Sequence, residues 1–202
     1  MGAFPGWLDE LRRRPRHAAL VPTAANPLPH APWVPHIARQ LRAYGISVDY
    51  LDLERATPTM VATVLVGADL VFVTGGYPMF LLEQAQRTGF LELVRQQVHQ
   101  GQLAYAGMSA GAALAGPDLA LYQSPDDPGN VRDSSGLALV PFCTLSHVNR
   151  GRRTHYAKII TAHPTQRFVV LTDEQAVVIA GDRWQVRESL LISDEDSPQR
   201  VM

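Results

Sequence analysis

The chain has 202 residues, enough for one compact domain, and we expect a single domain over residues 1–202. Apolar residues make up 46% and charged residues 18%, a balance that excludes a disordered chain. The net charge is −1, so the chain lacks the basic excess that drives binding to nucleic acid or an anionic membrane. The single cysteine, Cys143, excludes an internal disulfide and a multi-cysteine zinc site.

The amino-terminal segment, residues 1–16, carries its cluster of arginines after its apolar residues, the reverse of a secretory signal. No apolar run approaches the roughly 20 residues that a membrane-spanning helix needs. Residues 7–13 predict a short amphipathic helix on the surface. We therefore expect a cytoplasmic protein that makes no membrane contact.

Strand and helix patterns alternate as far as Gly107. Apolar runs predict strands at 17–22, 46–53, 70–74 and 102–107. Apolar residues at helical spacing predict helices at 31–44, 58–66, 79–87 and 90–100. This order is typical of a doubly wound, mostly parallel α/β sheet with helices on both faces. Sites in such sheets lie at the carboxyl ends of strands, which here selects residues 74–77 and 107–111.

The pattern loosens after residue 116. Residues 117–135 are rich in Pro, Gly and Asp and predict a long irregular loop of the kind that is often functional. An apolar run follows at 137–145, and residues 156–161 fit either a helix or a strand. Three further β segments are predicted at 168–171, 176–180 and 184–186, with turns between them.

The segment Gly107-Met108-Ser109-Ala110-Gly111 fits the G-x-S-x-G pattern of a nucleophile elbow. A predicted strand leads into it and an Ala-rich helix leads out, as the motif requires. Ser109 would then project from the sheet edge, while the two glycines let neighbouring backbone approach. A packing turn with an N-capping serine is the alternative for the bare pattern.

A second turn, Thr74-Gly75-Gly76-Tyr77, follows the predicted strand at 70–74. A serine that attacks a carbonyl needs backbone N–H groups to stabilise the oxyanion that forms. Ala110 would supply one donor, and Gly76, or else Gly75, the other. By itself this segment also fits a plain strand-to-helix turn.

A serine nucleophile needs a base. His147 follows the apolar run at 137–145, so we expect it at a strand end, where a base can reach over the edge of the sheet. The base needs a carboxylate to orient it. The aspartates between Ser109 and His147 leave that choice open: Asp118, Asp126, Asp127 and Asp133.

Three arginines, Arg150, Arg152 and Arg153, follow His147 closely. A planar guanidinium binds a carboxylate well, so they are candidates for binding a substrate carboxylate. A solvated basic turn is the alternative. The sequence contains no H-E-x-x-H segment and no histidine pair at ligand spacing, so we expect neither a metal nor a cofactor.

Two stretches, residues 71–82 and 101–112, together resemble the dipeptidase E (aspartyl dipeptidase) family, which includes cyanophycinase-like serine peptidases. The first carries a Gly-Gly turn followed by Phe-Leu-Leu, and the second carries Gly-Met-Ser-Ala-Gly-Ala. The resemblance continues through residues 136–142 to His147. It implies a flavodoxin-like fold related to class I glutamine amidotransferases, with a serine in place of the cysteine nucleophile.

The resemblance also implies an activity, the hydrolysis of short peptides, often with an acidic N-terminal residue. Carried over by position, Ser109 is the nucleophile, His147 the base, and Gly76 and Ala110 the oxyanion donors. No cofactor is implied.

The family's third catalytic member lies in an Asp-x-Pro context after the elbow. Asp126 fits it through Asp126-Asp127-Pro128, with Asp127 in reserve. Tyr77 replaces an Asn of the family pattern, which changes the expected wall of the site and makes Tyr77 a candidate substrate contact. The expected partner is a short peptide, and the resemblance also suggests a homodimer.

Two other functions fit the same elbow. An α/β-hydrolase esterase would have the order Ser, Asp, His, but this chain is short for that fold and lacks a His-Gly-Gly-Gly oxyanion motif. An amidotransferase-like binding module without catalytic activity is the other alternative, and the unusual Tyr77 favours it.

Overall fold

The computed structural model describes residues 2–181 and 183–188. Within that part of the chain, four strands form a parallel sheet in the order β2-β1-β3-β4. They are β1 (His17–Val21), β2 (Ser47–Tyr50), β3 (Leu70–Val73) and β4 (Ala104–Gly107). The predicted mostly parallel α/β sheet is confirmed, and each strand lies inside its predicted range.

In the described residues, seven α-helices pack around the strands or follow them. They are α1 (Phe4–Glu10), α2 (Trp33–Ala43), α3 (Pro58–Gly67), α4 (Pro78–Arg87), α5 (Phe90–His99), α6 (Ala110–Leu114) and α7 (Arg153–Ala162). Local chemistry determines where α3 begins. The side chain of Thr57 accepts a hydrogen bond from Met60 N at 3.3 Å, and Pro58 occupies the first turn.

Helices cover both faces of the sheet because alternate strand residues point to opposite sides. Ala19 and Val71 belong to a buried cluster that includes apolar residues of α3, α4 and α5. Leu20 and Phe72 belong to a second buried cluster that includes residues of α1 and α2. Continuous apolar runs such as β3 are therefore buried on both faces, as expected for parallel strands.

The amino-terminal helix differs from its prediction. It spans Phe4–Glu10 rather than residues 7–13, and it buries Phe4 and Leu8 in the core instead of lying on the surface. The indole Nε1–H of Trp7 donates to the carbonyl of Ile179 at 3.2 Å. The arginine cluster therefore follows the helix and is not part of it.

Two smaller sheets complete the described fold. Strands β5 (Cys143–Leu145) and β6 (Phe168–Val170) pair in parallel, and β7 (Gln175–Ala180) and β8 (Arg183–Glu188) form an antiparallel hairpin.

Only the last three residues of the apolar run at 137–145 form a strand. Its earlier N–H groups donate to carbonyls at the end of α6, as Leu137 N does to Leu114 O at 2.8 Å, so they are not available for strand pairing.

The strand order places a topological switch point between β1 and β3. From β1 the chain crosses to β2 on one side and then returns past β1 to β3. Crevices that bind ligands form at such points, outside the carboxyl ends of the strands. The segments after β1, β3 and β4 meet at this edge of the sheet.

Candidate active site

Ser109 lies at the sharp turn between β4 and α6. Its backbone has φ 51° and ψ −105°, a conformation that residues with a side chain rarely adopt. The turn is held by a hydrogen bond from Gly111 N to Met108 O at 2.9 Å. The predicted strand–turn–helix context of the elbow is therefore present, and the hydroxyl lines an open cleft of about 1010 Å³.

The two glycines of the elbow are needed because the backbone is crowded there. A Cβ on Gly107 would lie 2.4 Å from the carbonyl oxygen of Gly111, and a Cβ on Gly111 would lie 2.3 Å from that of Val73. The phenol of Tyr105 donates to the carbonyl of Gly111 at 2.7 Å, and burial raises the pKa of that phenol. The first turn of α6 thus packs directly on β3.

The second glycine turn lies beside the serine. A Cβ built on Gly75 would be 3.1 Å from the Cβ of Ser109, so the backbone of this glycine packs against the serine side chain. Gly76 has φ 147°, and a Cβ there would lie only 2.0 Å from the carbonyl oxygen of Ala24. Tyr77 N donates to that same oxygen at 2.8 Å, which fixes the turn to the segment after β1.

Gly76 and Ala110 both line the cleft. Within the described part of the chain, neither backbone N–H donates to an acceptor. Donors without a partner next to a serine hydroxyl are what an oxyanion requires. The geometry is therefore compatible with the pair of donors expected from the sequence.

His147 lies just beyond β5, at the strand end where it was expected. Its backbone is left-handed, with φ 67° and ψ 32°, which is uncommon for a residue with a side chain. Its Nε2 lies 3.0 Å from Ser109 Oγ, within hydrogen-bond distance across 38 positions of sequence. The structure thus brings the predicted serine and histidine together.

The carboxylate beside this imidazole is Asp173. Its Oδ1 pairs with His147 Nδ1, and its Oδ2 accepts from Arg150 Nε at 2.7 Å. Partial desolvation raises the pKa of this carboxyl, but the hydrogen bonds from His147 and Arg150 and the positive charge of the Arg150 guanidinium outweigh that effect and lower the pKa below its ordinary value. Asp173 is therefore ionised at neutral pH.

The expectation that Asp126, or Asp127 in reserve, orients His147 is thereby corrected. Asp127 instead accepts from Met79 N at 2.8 Å and Phe80 N at 3.0 Å, because the first turn of α4 has backbone donors that need a partner. Asp126 is exposed, and its carboxylate bonds to no described residue.

The sequence contains a signal for Asp173. It sits in the turn Thr172-Asp173-Glu174, directly after a predicted strand. That strand, β6, pairs in parallel with β5, so the residues after both strands meet at one edge. Asp173 lies 26 residues after the histidine, outside the stretch between Ser109 and His147 where the orienting aspartate was expected.

The three predicted arginines have different surroundings. Arg150 and Arg152 line the cleft, whereas Arg153, the first residue of α7, does not. Arg152 Nη1 lies 3.3 Å from the phenol oxygen of Tyr156 and forms no ion pair with a carboxylate among residues 2–181 and 183–188. Tyr77, expected in the wall, does not line the cleft, although its neighbours Gly76 and Pro78 do.

The part of the chain that the structure describes contains no group of three or more His, Cys, Asp or Glu arranged to hold a metal ion. No helix in the same residues is long and apolar enough to cross a membrane.

Comparison with known proteins gives a consistent result. The sequence model of Peptidase family S51 matches residues 4–187. An uncharacterized peptidase of Listeria innocua is 31% identical over 170 residues, which cover 78% of this chain and 81% of that protein. A cyanophycinase of Trichormus variabilis is 29% identical over 142 residues, covering 68% of this chain but only 48% of that protein.

The fold is also found among solved structures. The crystal structure of a candidate peptidase E protein from Listeria monocytogenes superimposes with a TM-score of 0.80 at 26% identity. The match covers 91% of this chain and 92% of that one. A peptidase from an acI-B1 actinobacterium matches with a TM-score of 0.66 at 20% identity, a likeness of fold alone.

Proposed function

Because this chain belongs to Peptidase family S51 and is therefore a peptidase, we propose that it is a serine-type dipeptidase with Ser109, His147 and Asp173 as its catalytic groups. The observation that carries the proposal is the continuous contact from Ser109 Oγ to His147 Nε2 and from His147 Nδ1 to Asp173. Nucleophile, base and orienting carboxylate stand in the order that acyl transfer to a serine requires.

In this mechanism the Nδ1–H of His147 donates to Asp173, which leaves the lone pair of Nε2 facing Ser109. His147 takes the serine proton as Ser109 attacks the scissile carbonyl. The imidazolium then protonates the leaving amine. A water molecule, activated by the same histidine, releases the acyl group and restores the serine.

The N–H groups of Gly76 and Ala110 stabilise the oxyanion in this proposal. Both line the cleft beside Ser109, and the crowding around Gly76 fixes its backbone before substrate arrives. Loss of one such donor typically costs about 100- to 1,000-fold in rate.

The proposed substrates are short peptides with an acidic first residue. Arg152 supports this preference because it lines the cleft and forms no ion pair with a described carboxylate. Its guanidinium is thus available to bind a substrate carboxylate.

The test is a panel of dipeptides that differ in the first residue, with amine release as the readout and Ser109→Ala as the control. We expect cleavage by the wild-type enzyme, fastest with Asp or Glu first, and a loss of roughly a million-fold in Ser109→Ala. Circular dichroism should show an unchanged fold in the variant. Undiminished turnover by Ser109→Ala would reject the mechanism.

Two further measurements separate the alternatives. Nitrophenyl esters cleaved much faster than any peptide would indicate an esterase. Failure of Ser109 to react with a serine-directed fluorophosphonate, in folded protein, would indicate a binding module without catalytic activity.

A further inference from the structure

Arg150 is held by the carboxylate that pairs with the histidine. Its Nε donates to Asp173 Oδ2 at 2.7 Å, while the other oxygen of that carboxylate pairs with His147 Nδ1. Both oxygens of Asp173 therefore have a partner on the short segment that follows β5. A carboxylate held at both oxygens cannot rotate freely about its terminal bond.

The backbone places Arg150 for this contact. Its N–H donates to the carbonyl of His147 at 3.0 Å, which closes a tight turn directly after the histidine. Arg150 then has φ −90° and ψ 40°, and Gly151 has φ 75°, so the helical path is broken at both residues before α7 begins. Arg152 and Arg153, beyond the break, make no ion pair with Asp173.

A second pair of contacts joins the same two loops. Asn149 Oδ1 accepts from Asp173 N at 3.2 Å, and Asn149 Nδ2 donates to Glu174 Oε2 at 3.3 Å. Among the described residues, the side chains bonded to the carboxylate of Asp173 are His147 and Arg150, and the neighbouring carboxylate of Glu174 is bound to Asn149. The backbone and the carboxylate of Asp173 are both held from the histidine loop.

We propose that Arg150 is a positioning residue that acts through Asp173 on His147, and that it is not the group that binds a substrate carboxylate. The inference rests on the proposed function, since it assumes that His147 acts as the base. Arg150 fixes the carboxylate in the orientation that holds the imidazole toward Ser109. Small errors in such an orientation lower the rate of the chemical step rather than the affinity for substrate.

The size of the effect follows from the exposure of the pair. The side chain of Arg150 is 62% exposed, so water screens its interaction with Asp173. We therefore expect about a two- to tenfold decrease in kcat for Arg150→Gln. Arg150→Lys should recover part of the loss, because an ammonium group can still pair with Asp173 but lacks the planar geometry.

Steady-state kinetics distinguishes the two roles that Arg150 could have, positioning of Asp173 and binding of a substrate carboxylate. A positioning role predicts that Arg150→Gln lowers kcat by the same factor for dipeptides with an acidic and with a neutral first residue, at nearly constant KM. A rise in KM confined to acidic peptides would overturn the proposal. The matched control is Arg167→Gln, which also removes one positive charge. Arg167 lies just before the first residue of β6, whereas Asp173 follows the last residue of that strand.

A double-mutant cycle tests whether the effect passes through Asp173. If it does, Arg150→Gln added to Asp173→Asn costs nothing further in kcat. Independent, multiplicative losses would overturn the proposal.

An NMR measurement keeps the inference testable if no peptide is hydrolysed. The Nδ1–H proton of His147, bonded to Asp173, should shift or broaden in Arg150→Gln and remain unchanged in Arg167→Gln. An identical signal in both variants would overturn the positioning role whatever the activity. Absence of peptide hydrolysis by the wild-type enzyme would instead reject the proposed function. Failure of the positioning role and failure of the proposed function are therefore distinguishable.

Discussion

Ser109 and His147 both have a positive φ, although each has a side chain that disfavours it. Such strain persists only where surrounding contacts enforce it, and it concentrates at functional sites. For Ser109 the enforcement comes from the crowding of Gly107 and Gly111 against neighbouring carbonyls. Val148 N, which donates to Leu171 O at 3.0 Å, holds the chain just after His147.

The carboxylate next to the imidazole gives a prediction for a single residue. Asp173→Asn should lower kcat by about 10³- to 10⁴-fold, because the amide stabilises neither the correct tautomer nor the imidazolium. Asp126→Asn removes a carboxylate that bonds to no described residue. It should therefore leave kcat within about twofold of the wild-type value. Steady-state kinetics of both variants on one peptide would check this, and equal losses would contradict it.

The same residue predicts how stability depends on pH. The pKa of Asp173 is lowered in the folded chain, so its stabilising contribution is complete above the unfolded-state pKa of about 3.9. That contribution is lost as the pH falls through the lower folded-state pKa. Urea unfolding of wild-type and Asp173→Asn protein should therefore show a stability difference near pH 6 that narrows below about pH 4. A difference independent of pH would contradict the assignment.

The first turn of α4 is capped by a side chain that is distant in sequence. Tyr77, the residue before the helix, provides no side-chain cap, and Asp127 binds the free N–H groups of Met79 and Phe80 instead. A third bond, from Gly129 N to Asp127 Oδ1 at 2.9 Å, folds the loop around the same carboxylate. Residues 121–125 of that loop line the cleft, so this contact also supports a wall of the site.

Removal of the cap should destabilise the protein. Asp127→Ala should lower the free energy of unfolding by about 0.5–2 kcal/mol, the usual cost of losing an N-cap carboxylate. Asp126→Ala, a neighbour with an exposed side chain, is the control and should change it by less than about 0.5 kcal/mol. Urea denaturation, fitted with one common dependence of the free energy of unfolding on urea concentration, would measure the stability of both variants. A larger loss in the Asp126 variant would be incompatible with the capping role.

The cleft exists because segments from distant parts of the chain meet at one edge of the sheet. The segments after β1, β3 and β4 meet at the switch point, and those after β5 and β6 bring in His147 and Asp173. The hairpin of β7 and β8 begins two residues after Asp173 and contacts α1 through the bond from Trp7 Nε1 to Ile179 O.

The homodimer expected from the sequence stays a prediction. Strand β2 is an edge of the parallel sheet in the described residues, and its Tyr50 is 50% exposed. Open edges of this kind can pair with a second chain. Sedimentation equilibrium should give twice the chain mass of 22.2 kDa at micromolar concentration. A mass of one chain across the whole concentration range would contradict it.

The sequence alone was sufficient for the elements of the parallel sheet, for Ser109 in its elbow and for His147 at a strand end. These features depend on periodicity and on turn chemistry within a few consecutive residues, so a single chain displays them. The burial of α1 does not follow from its local pattern, because Phe4 and Leu8 are buried by residues of β1, β3 and α2, and such packing depends on tertiary contacts.

The choice of Asp173 was decided by the tertiary structure. Parallel pairing of β5 with β6 brings the turn after β6 to the imidazole, while the helix donors of α4 bind Asp127. Which strand ends become neighbours depends on non-local pairing, and the spacing of residues along a chain does not encode it. The sequence does not distinguish Arg150, Arg152 and Arg153, because their contacts also depend on the fold. The interruption of the helical path at Arg150 and Gly151 separates Arg150, which contacts Asp173, from the other two arginines.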